Sequence, residues 1–148
     1  MRVVCTRSFN HTGPGQGESF LVPALVRRAV ELRASGGRSL RIGNVQPVRD
    51  FAHVSDVAAA YIHLAERGVA GETYNVSTGT GRSVRQVAEA VLERVGLAVP
   101  LEEDPALVRK ADIPFLVGDA TRIRALTGWA PRRTFEDCID DLIHAATH

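Results

Sequence analysis

An adjacent arginine and aspartate, Arg49 and Asp50, interrupt an otherwise apolar extended segment that the sequence predicts over residues 45–51. A guanidinium that leaves water loses hydration, and only an anion can compensate for that loss. A helix signal follows at Ser55, with a further carboxylate at Asp56. The pattern therefore predicts that Arg49 either forms an internal ion pair with Asp50 or Asp56 or binds a phosphate or carboxylate from outside the chain.

The size and charge of the chain limit the classes of protein it can belong to. Its 148 residues, 45% apolar and 24% charged, are typical of a single globular domain over residues 1–148. The formal net charge of +1 argues against nucleic acid or a polybasic membrane surface as the main partner. No apolar run approaches the roughly 20 residues of a membrane span, and no signal peptide is recognisable, so a cytoplasmic location is expected.

The two cysteines, Cys5 and Cys138, are far apart and stand in apolar patterns. Neither has a Cys or His neighbour at metal-ligand spacing, and the histidines form no zinc motif. We therefore expect buried free thiols at both positions and no metal site.

Strands and helices are predicted to alternate along the chain, which indicates an α/β fold class. The predicted strands cover residues 2–9, 39–43, 45–51, 72–77 and 99–101. The predicted helices cover residues 19–34, 56–67, 83–95, a short stretch that starts at Asp119 or Thr121 and ends at 126, and 135–146. Ser19 and Ser55 are predicted N-caps, and Ser83 with Gln86 forms a capping box. Residues 113–117, interrupted by a proline, are predicted to form a loop or an edge segment.

A glycine-rich stretch, residues 10–17, separates the first predicted strand from the first helix. Such a loop can bring backbone N–H groups close to an anion, but glycines are equally common in plain surface turns. The spacing of Gly13, Gly15 and Gly17 does not match a dinucleotide-binding fingerprint. Both interpretations of the loop stay open at this point.

Four motifs in order give the chain a family resemblance that covers nearly its whole length. They are Arg7 to Gln16, Arg49 to Tyr61, Glu72 to Gly79 and Val117 to Pro131. The series resembles the C-terminal half of extended short-chain dehydrogenases/reductases acting on nucleotide sugars, in particular GDP-mannose 4,6-dehydratases and GDP-4-keto-6-deoxy-mannose reductases. The resemblance implies a partial Rossmann-type fold, with the C-terminal portion of the parallel sheet and the small substrate-binding subdomain, without the dinucleotide-binding half.

The resemblance also defines which motifs of the family this chain does not contain. The sequence contains no Gly-x-x-Gly-x-x-Gly turn. It also contains no Tyr-x-x-x-Lys pair, because the residue four positions after Tyr61 is Ala65 and the residue four positions after Tyr74 is Thr78. We therefore assign no catalytic residue and expect the chain by itself to be inactive. NAD or NADP is expected in a complete enzyme of this family, and none is expected to bind this chain alone.

The family's binding residues map onto matching positions of this sequence. The resemblance implies that Asn10 and Arg49 bind the sugar diphosphate, that Arg109 and Asp112 hold the nucleotide, and that His11 lies near the nicotinamide end of the cofactor. An arginine suits this role because its planar fork binds phosphate through two N–H groups. Two of these assignments have structural alternatives, in which Asn10 caps the loop and Asp112 is a solvated carboxylate.

Three further positions bear on the roles that the family resemblance implies. His53 is predicted to be a packing histidine and not a base. Gln16 stands where the dehydratases have a basic residue, and Lys110 stands where the family usually has proline. Gln16, together with residues 113–119, favours the reductase over the dehydratase.

The predicted function is the GDP-sugar-binding part of an NAD(P)-dependent reductase or dehydratase. The alternatives are a stand-alone nucleotide-binding or assembly module without catalysis, and an epimerase fragment of the same family. The expected ligand is a GDP-sugar. Because central strands of the parent sheet would be missing, we expect a homodimer formed through a helix face or an open sheet edge.

Overall fold

The computed structural model describes residues 2–108 and 113–147, which form a mixed α/β structure. The strands are β1 (Cys5–Ser8), β2 (Asn10–Thr12), β3 (Leu40–Ile42), β4 (Val48–His53), β5 (Thr73–Val76), β6 (Gly81–Ser83), β7 (Leu101–Glu103) and β8 (Phe115–Leu116). The helices are α1 (Leu21–Ser35), α2 (Val54–Arg67), α3 (Val84–Val95), α4 (Thr121–Thr127) and α5 (Phe135–Thr147), with a 3-10 turn at Pro105–Leu107. The predicted α/β class is confirmed.

Most strand pairs are parallel, as expected from helices that alternate with strands. β1 pairs with β5, β2 with β4, β3 with β7, and β8 with β4, all in parallel. β6 pairs antiparallel with β4. β4 therefore has partners from three distant parts of the chain, which makes it the strand that positions the loops around it.

Two apolar clusters form the core. The first packs α1, α3 and α5 against one another and against β3 and β4, and it includes Val26, Val91 and Ile139. The second lies between α2, β5 and α4 and includes Leu64 and Val76. The clean helical period of the apolar residues in α3 and α5 predicted the faces that are buried here.

The helix caps partly differ from those predicted. The capping box of α3 is confirmed, since Gln86 N donates to Ser83 Oγ over 3.2 Å and Ser83 N donates to Gln86 Oε1 over 2.8 Å. The prediction for Ser55 was wrong, because α2 begins at Val54, two residues earlier than predicted, and His53 Nδ1 accepts the hydrogen bond from Ser55 N. Phe20 occupies the cap position of α1, where Ser19 was predicted, without a side-chain hydrogen bond.

Two other predictions were wrong in part. Asn10 and its two successors belong to β2 and not to a loop, because they pair in parallel with the end of β4. Cys5 is exposed on β1, whereas Cys138 is buried as predicted. The apolar sequence around Cys5 is typical of a buried strand, but three of the four residues of β1 are exposed.

Among the described residues, no helix combines the length and the apolar character that a membrane crossing requires.

Candidate functional site

A pocket of about 540 Å³ lies where β2 and β4 meet the N-terminal part of α1. Three of the residues predicted to bind substrate or cofactor line it together, namely Asn10, His11 and Arg49. Its other charged lining residues are Arg28 and Glu18, so arginine outnumbers carboxylate. The pocket is therefore electrostatically suited to an anionic ligand.

The register of β2 and β4 explains why residues distant in sequence share one wall of this pocket. Asn10 lies opposite Phe51 in the parallel ladder. Arg49 precedes Phe51 by two positions, and side chains two apart on a strand point to the same face. Asn10, Phe51 and Arg49 therefore project from the same face of the sheet, and all three line the pocket.

Arg49 is half-buried and lies directly opposite a second arginine, Arg82, in the antiparallel ladder of β4 and β6. Arg82 is compensated by Glu136 at 3.5 Å and by the ring of Phe135, whose centroid is 4.9 Å away. Arg49 Nη1 donates to Val48 O over 2.8 Å. Like charges facing each other across a ladder are unfavourable, so the contacts of Arg82 with Glu136 and Phe135 help to stabilise this pairing.

Asp50 lies on the opposite face of β4 and is completely buried. Its carboxylate accepts hydrogen bonds from Thr78 N at 3.0 Å, Thr78 Oγ1 at 2.6 Å, Gly79 N at 2.8 Å and Gly118 N at 3.3 Å. These four donors satisfy the buried charge without a guanidinium. The sequence signalled a buried carboxylate here, but nothing in it indicated these donors.

The second carboxylate considered as a partner of Arg49 is also held by backbone groups. Asp56 Oδ2 accepts hydrogen bonds from Arg132 N at 3.1 Å and Arg133 N at 2.9 Å. Asp56 thus fixes the loop before α5 against the first turn of α2. The contacts of Asp50 and Asp56 show that each carboxylate has a structural role of its own.

Two polar side chains in the pocket have buried atoms that find no hydrogen-bond partner within the described part of the chain. They are the hydroxyl of Thr12, a residue only 2% exposed, and Oε1 of Gln16. A buried polar group left unsatisfied costs about 1–3 kcal/mol, which a ligand or an ordered water would recover. Sequence analysis did not single out Thr12, because a threonine after a strand is unremarkable.

The side chain of His11 lies on the opposite face of β2 from Asn10, because successive residues of a strand point to opposite faces. His11 lies opposite Ala52 in the ladder. Its Nδ1 lies 3.1 Å from Phe9 O, and its own carbonyl accepts a hydrogen bond from Gln16 Nε2 at 3.1 Å. The residue is exposed at the edge of the pocket. Its position therefore separates it from the wall formed by Asn10 and Arg49.

The two predicted nucleotide-binding residues, Arg109 and Asp112, lie outside the described residues. The described chain reaches the pocket shortly before them, because Leu107 is one of its lining residues. Gly43 lies close to this segment, since a Cβ added there would be 2.5 Å from Leu107 O.

The glycine-rich segment has structural reasons for two of its glycines. A Cβ added to Gly13 would lie 2.5 Å from Val54 Cγ1, so a side chain there would collide with the first turn of α2. Gly15 has φ of +86°, a left-handed conformation that favours glycine. These two glycines support the interpretation of a packed turn.

The family model for GDP-mannose 4,6-dehydratase matches residues 1–142 of the chain. The chain belongs to this family. The GDP-6-deoxy-D-mannose reductase of Pseudomonas aeruginosa is 32% identical over 139 residues, which are 93% of this chain and 46% of that protein. The GDP-mannose 4,6-dehydratase of Drosophila melanogaster is 26% identical over 93% of this chain and 39% of its own length. The family resemblance inferred from the four motifs is confirmed.

Solved structures agree with the fold. The structure of RMD from Pseudomonas aeruginosa complexed with NADPH superposes with a TM-score of 0.89 at 29% identity, over 98% of this chain and 48% of that one. The UDP-glucose 4-epimerase of Thermus thermophilus in complex with NAD gives a TM-score of 0.81 at 28% identity. This chain has the fold of part of a Rossmann-type, NAD(P)-binding enzyme, and it spans less than half the length of these relatives.

Proposed function

We propose that this chain is the nucleotide-sugar-binding part of an NAD(P)-dependent GDP-sugar reductase or dehydratase, and that by itself it binds without catalysing. The single observation that carries the proposal is the convergence of Asn10 and Arg49 on one wall of the pocket, from strands 39 positions apart in sequence. A guanidinium beside an amide can bind the oxygens of a diphosphate through several charge-assisted hydrogen bonds.

The residues of this chain do not fit a complete dinucleotide site. The sequence contains no Gly-x-x-Gly-x-x-Gly turn, and Gly13 is explained by its packing against Val54. Of the residues to which the family resemblance assigns a role, only His11 is assigned to the cofactor. We therefore derive no hydride-transfer step from this chain, and its role in the complete enzyme is to bind and orient the sugar nucleotide.

Calorimetric titration with GDP and with NADPH tests the proposal. The expected result is measurable GDP binding and no NADPH binding, because the pocket offers arginines and polar atoms but no dinucleotide turn. The absence of any heat with GDP would contradict the binding role and would leave an assembly module as the alternative. Turnover of GDP-mannose or its 4-keto product by this chain alone would contradict the proposed inactivity.

Within the proposed function, Gln16 supports the reductase over the dehydratase. Its side chain lies in the pocket and donates through Nε2 to His11 O over 3.1 Å, so this position offers a neutral amide where a cation was expected for a dehydratase. In an enzyme reconstituted with a dinucleotide-binding half, the 4-keto sugar should be reduced with NADPH. Conversion of GDP-mannose itself would contradict the reductase assignment.

A further inference from the structure

His53 lies where the glycine-rich segment, β4 and α2 meet. It is the last residue of β4, is only 6% exposed, and faces Thr12 of β2 in the ladder. Side chains two apart on a strand share a face, so His53 lies on the same face as Phe51 and Arg49, which line the pocket. Within the described part of the chain, His53 is not one of the lining residues. Any influence of His53 on a bound ligand is therefore indirect.

The hydrogen bonds of the His53 ring define where its proton lies. Ser55 N can only donate, and it lies 3.1 Å from Nδ1, so Nδ1 accepts and carries no hydrogen. The proton of the neutral ring is then on Nε2, which donates to Asp141 Oδ2 over 3.1 Å. Ser55 Oγ lies 2.7 Å from the same Nδ1. The neutral ring thus caps α2 through one nitrogen and binds α5 through the other.

The helix that carries Asp141 also supports the wall of the pocket. Phe135, the first residue of α5, packs against Phe51 of β4 with 5.6 Å between the ring centroids. Phe51 in turn lines the pocket. α5 therefore contacts β4 at two points, through an apolar contact at Phe51 and through a hydrogen bond at His53, where the strand ends.

The first turn of α2 is in close contact with a segment that reaches the pocket. A Cβ added to Gly13 would lie 2.5 Å from Val54 Cγ1 and 3.9 Å from His53 Nε2, so the glycine-rich segment packs directly against both residues. Three positions further on, Gln16 lines the pocket. Because close-packed groups transmit displacements, a movement of Val54 shifts this segment and with it one side of the pocket.

Charged groups lie around the His53 ring on the elements packed against it. α5 contributes Asp141 and Asp137, and Asp137 interacts electrostatically with the ring. The segment before α5 contributes Arg133, whose Nη2 donates to Asp141 over 2.7 Å, and the first turn of α2 contributes the buried Asp56. On β2, the residue that faces the ring is an uncharged threonine. Carboxylates therefore outnumber guanidinium groups here, and a protonated ring would have anions close by.

Protonation changes which partners the ring can bind. A charged imidazole donates from both nitrogens, so Nδ1 can no longer accept from Ser55 N, whereas Nε2 keeps its bond to Asp141. We propose that His53 is a positioning residue for the pocket: its neutral form ties β4 to α2 and α5, and its protonation releases the start of α2 and weakens ligand binding at a distance. The identity of the ligand rests on the proposed function, whereas the hydrogen bonds of His53 do not.

Nuclear magnetic resonance of the chain without ligand follows the ring and the cap directly. At about pH 7.5, the nitrogen spectrum of His53 should show the proton on Nε2 and none on Nδ1. Histidines change their charge between about pH 5 and 8, whereas ordinary carboxyl groups titrate near about pH 4, so acidification to about pH 5.5 acts on histidines. The exchange protection factor of the Ser55 amide should then fall by about fivefold, as for the loss of an N-cap.

Calorimetric titration with GDP at the same two pH values tests the link to the pocket. His53→Asn keeps a side-chain acceptor at the cap position but cannot be protonated. Affinity lost on acidification should be about fivefold greater in the original chain than in His53→Asn, because the capped form binds best. His144→Asn removes an exposed histidine of α5 and should behave as the original chain does. Protonation of GDP itself affects all three chains alike.

Three results would each overturn the proposal: a proton on Nδ1 at the higher pH, protection of Ser55 that does not change with pH, and equal pH dependence of GDP binding in the original chain and His53→Asn. Equal effects of His53→Asn and His144→Asn would overturn it as well. Should His53→Asn fail to fold, the ring and Ser55 measurements on the original chain decide the matter. Absence of GDP binding at both pH values would contradict the proposed function, and the protection of Ser55 would then support or overturn the pH-dependent cap by itself.

Discussion

Gly118 N donates a hydrogen bond to Asp50 Oδ2 over 3.3 Å, although the two residues are 68 positions apart in sequence. The same carboxylate accepts hydrogen bonds from Thr78 and Gly79. One buried charge on β4 thus holds the segments that follow β5 and β8. Because Arg49 is the neighbour of Asp50 on β4, this anchor also fixes the strand from which Arg49 reaches the pocket.

Asp50→Ala should strongly destabilise the chain. It leaves three backbone N–H groups without their acceptor, and we expect the free energy of unfolding to fall by about 3 kcal/mol or more. Urea denaturation followed by circular dichroism measures this. Asp140→Ala is the matched control, because that carboxylate is half-exposed and pairs with Arg94 at the surface. Equal small losses in both variants would contradict the anchoring role of Asp50.

Gly118→Ala tests the close packing beside this anchor. A Cβ at this position would lie 2.5 Å from both Cβ and Oγ of Ser77, a buried residue, so the backbone must shift. We expect a loss of stability of about 1–3 kcal/mol, as for other overpacked sites, visible as a lower melting temperature. In Gly17→Ala the nearest atom would be Ser19 Oγ at 4.0 Å, and that variant should melt like the original chain.

Arg49→Ala should weaken GDP binding by about tenfold or more, since a charge-assisted hydrogen bond contributes about 1.5–3 kcal/mol. Calorimetric titration gives the dissociation constant. Arg27→Ala removes a guanidinium of α1 that pairs with Glu31 outside the pocket, and it should leave GDP binding unchanged. Equal effects of the two substitutions would mean that the protein's general positive charge, and not Arg49, binds the nucleotide.

The start of α5 should make stability depend on pH. The backbone N–H of Thr134 donates a hydrogen bond to Asp137, and this bond is the largest cause of a lowered pKa of Asp137, below its ordinary value of 3.8. Hydrogen bonding with the side chain of Thr134 lowers this pKa further. The folded state therefore favours the charged carboxylate, and this contribution is present at neutral pH and lost as the pH falls through the lowered pKa. Asp137→Asn should be less stable than the original chain at neutral pH.

The difference between Asp137→Asn and the original chain should shrink as the pH falls below about 4, where the carboxyl group becomes neutral in both states. Urea unfolding at several pH values measures it. A difference in unfolding free energy that stays constant across this pH range would contradict the assigned role of the charge.

The two cysteines should react at very different rates. Cys5 is exposed, whereas Cys138 is buried, and its burial raises the pKa of its thiol to about 12. Because the thiolate is the reactive form, a thiol-specific chromogenic reagent should modify one group in the native chain and the second only after unfolding. Cys5→Ser should remove the fast reaction. Two fast thiols in the native state would contradict the buried position of Cys138.

The elements that the sequence predicted well are those defined by local signals. The capping box of Ser83 and Gln86 predicted the start of α3, and its apolar period predicted its buried face. The strands β2 and β6 were missed, because each has three residues and exists only through pairing with β4. Strand pairing is a long-range property that composition does not reveal.

In the candidate site, too, some features could be predicted from the sequence and others depend on long-range contacts. The resemblance brought Asn10, His11 and Arg49 to attention, and the structure places all three at one pocket, while their roles stay predictions. The donors to Asp50 and the burial of the Thr12 hydroxyl could not be predicted from the sequence, because each depends on segments that only folding brings together.

The neighbouring opposite charges on β4 also restrict how this strand can be aligned during folding. A shift of one position would turn Arg49 towards the backbone N–H donors of Thr78 and Gly79 and would present Asp50 to the arginine-lined pocket. The guanidinium would then be buried among groups that repel it. Misaligned forms of the sheet are thus penalised by charge as well as by packing, which helps this strand to reach a single register.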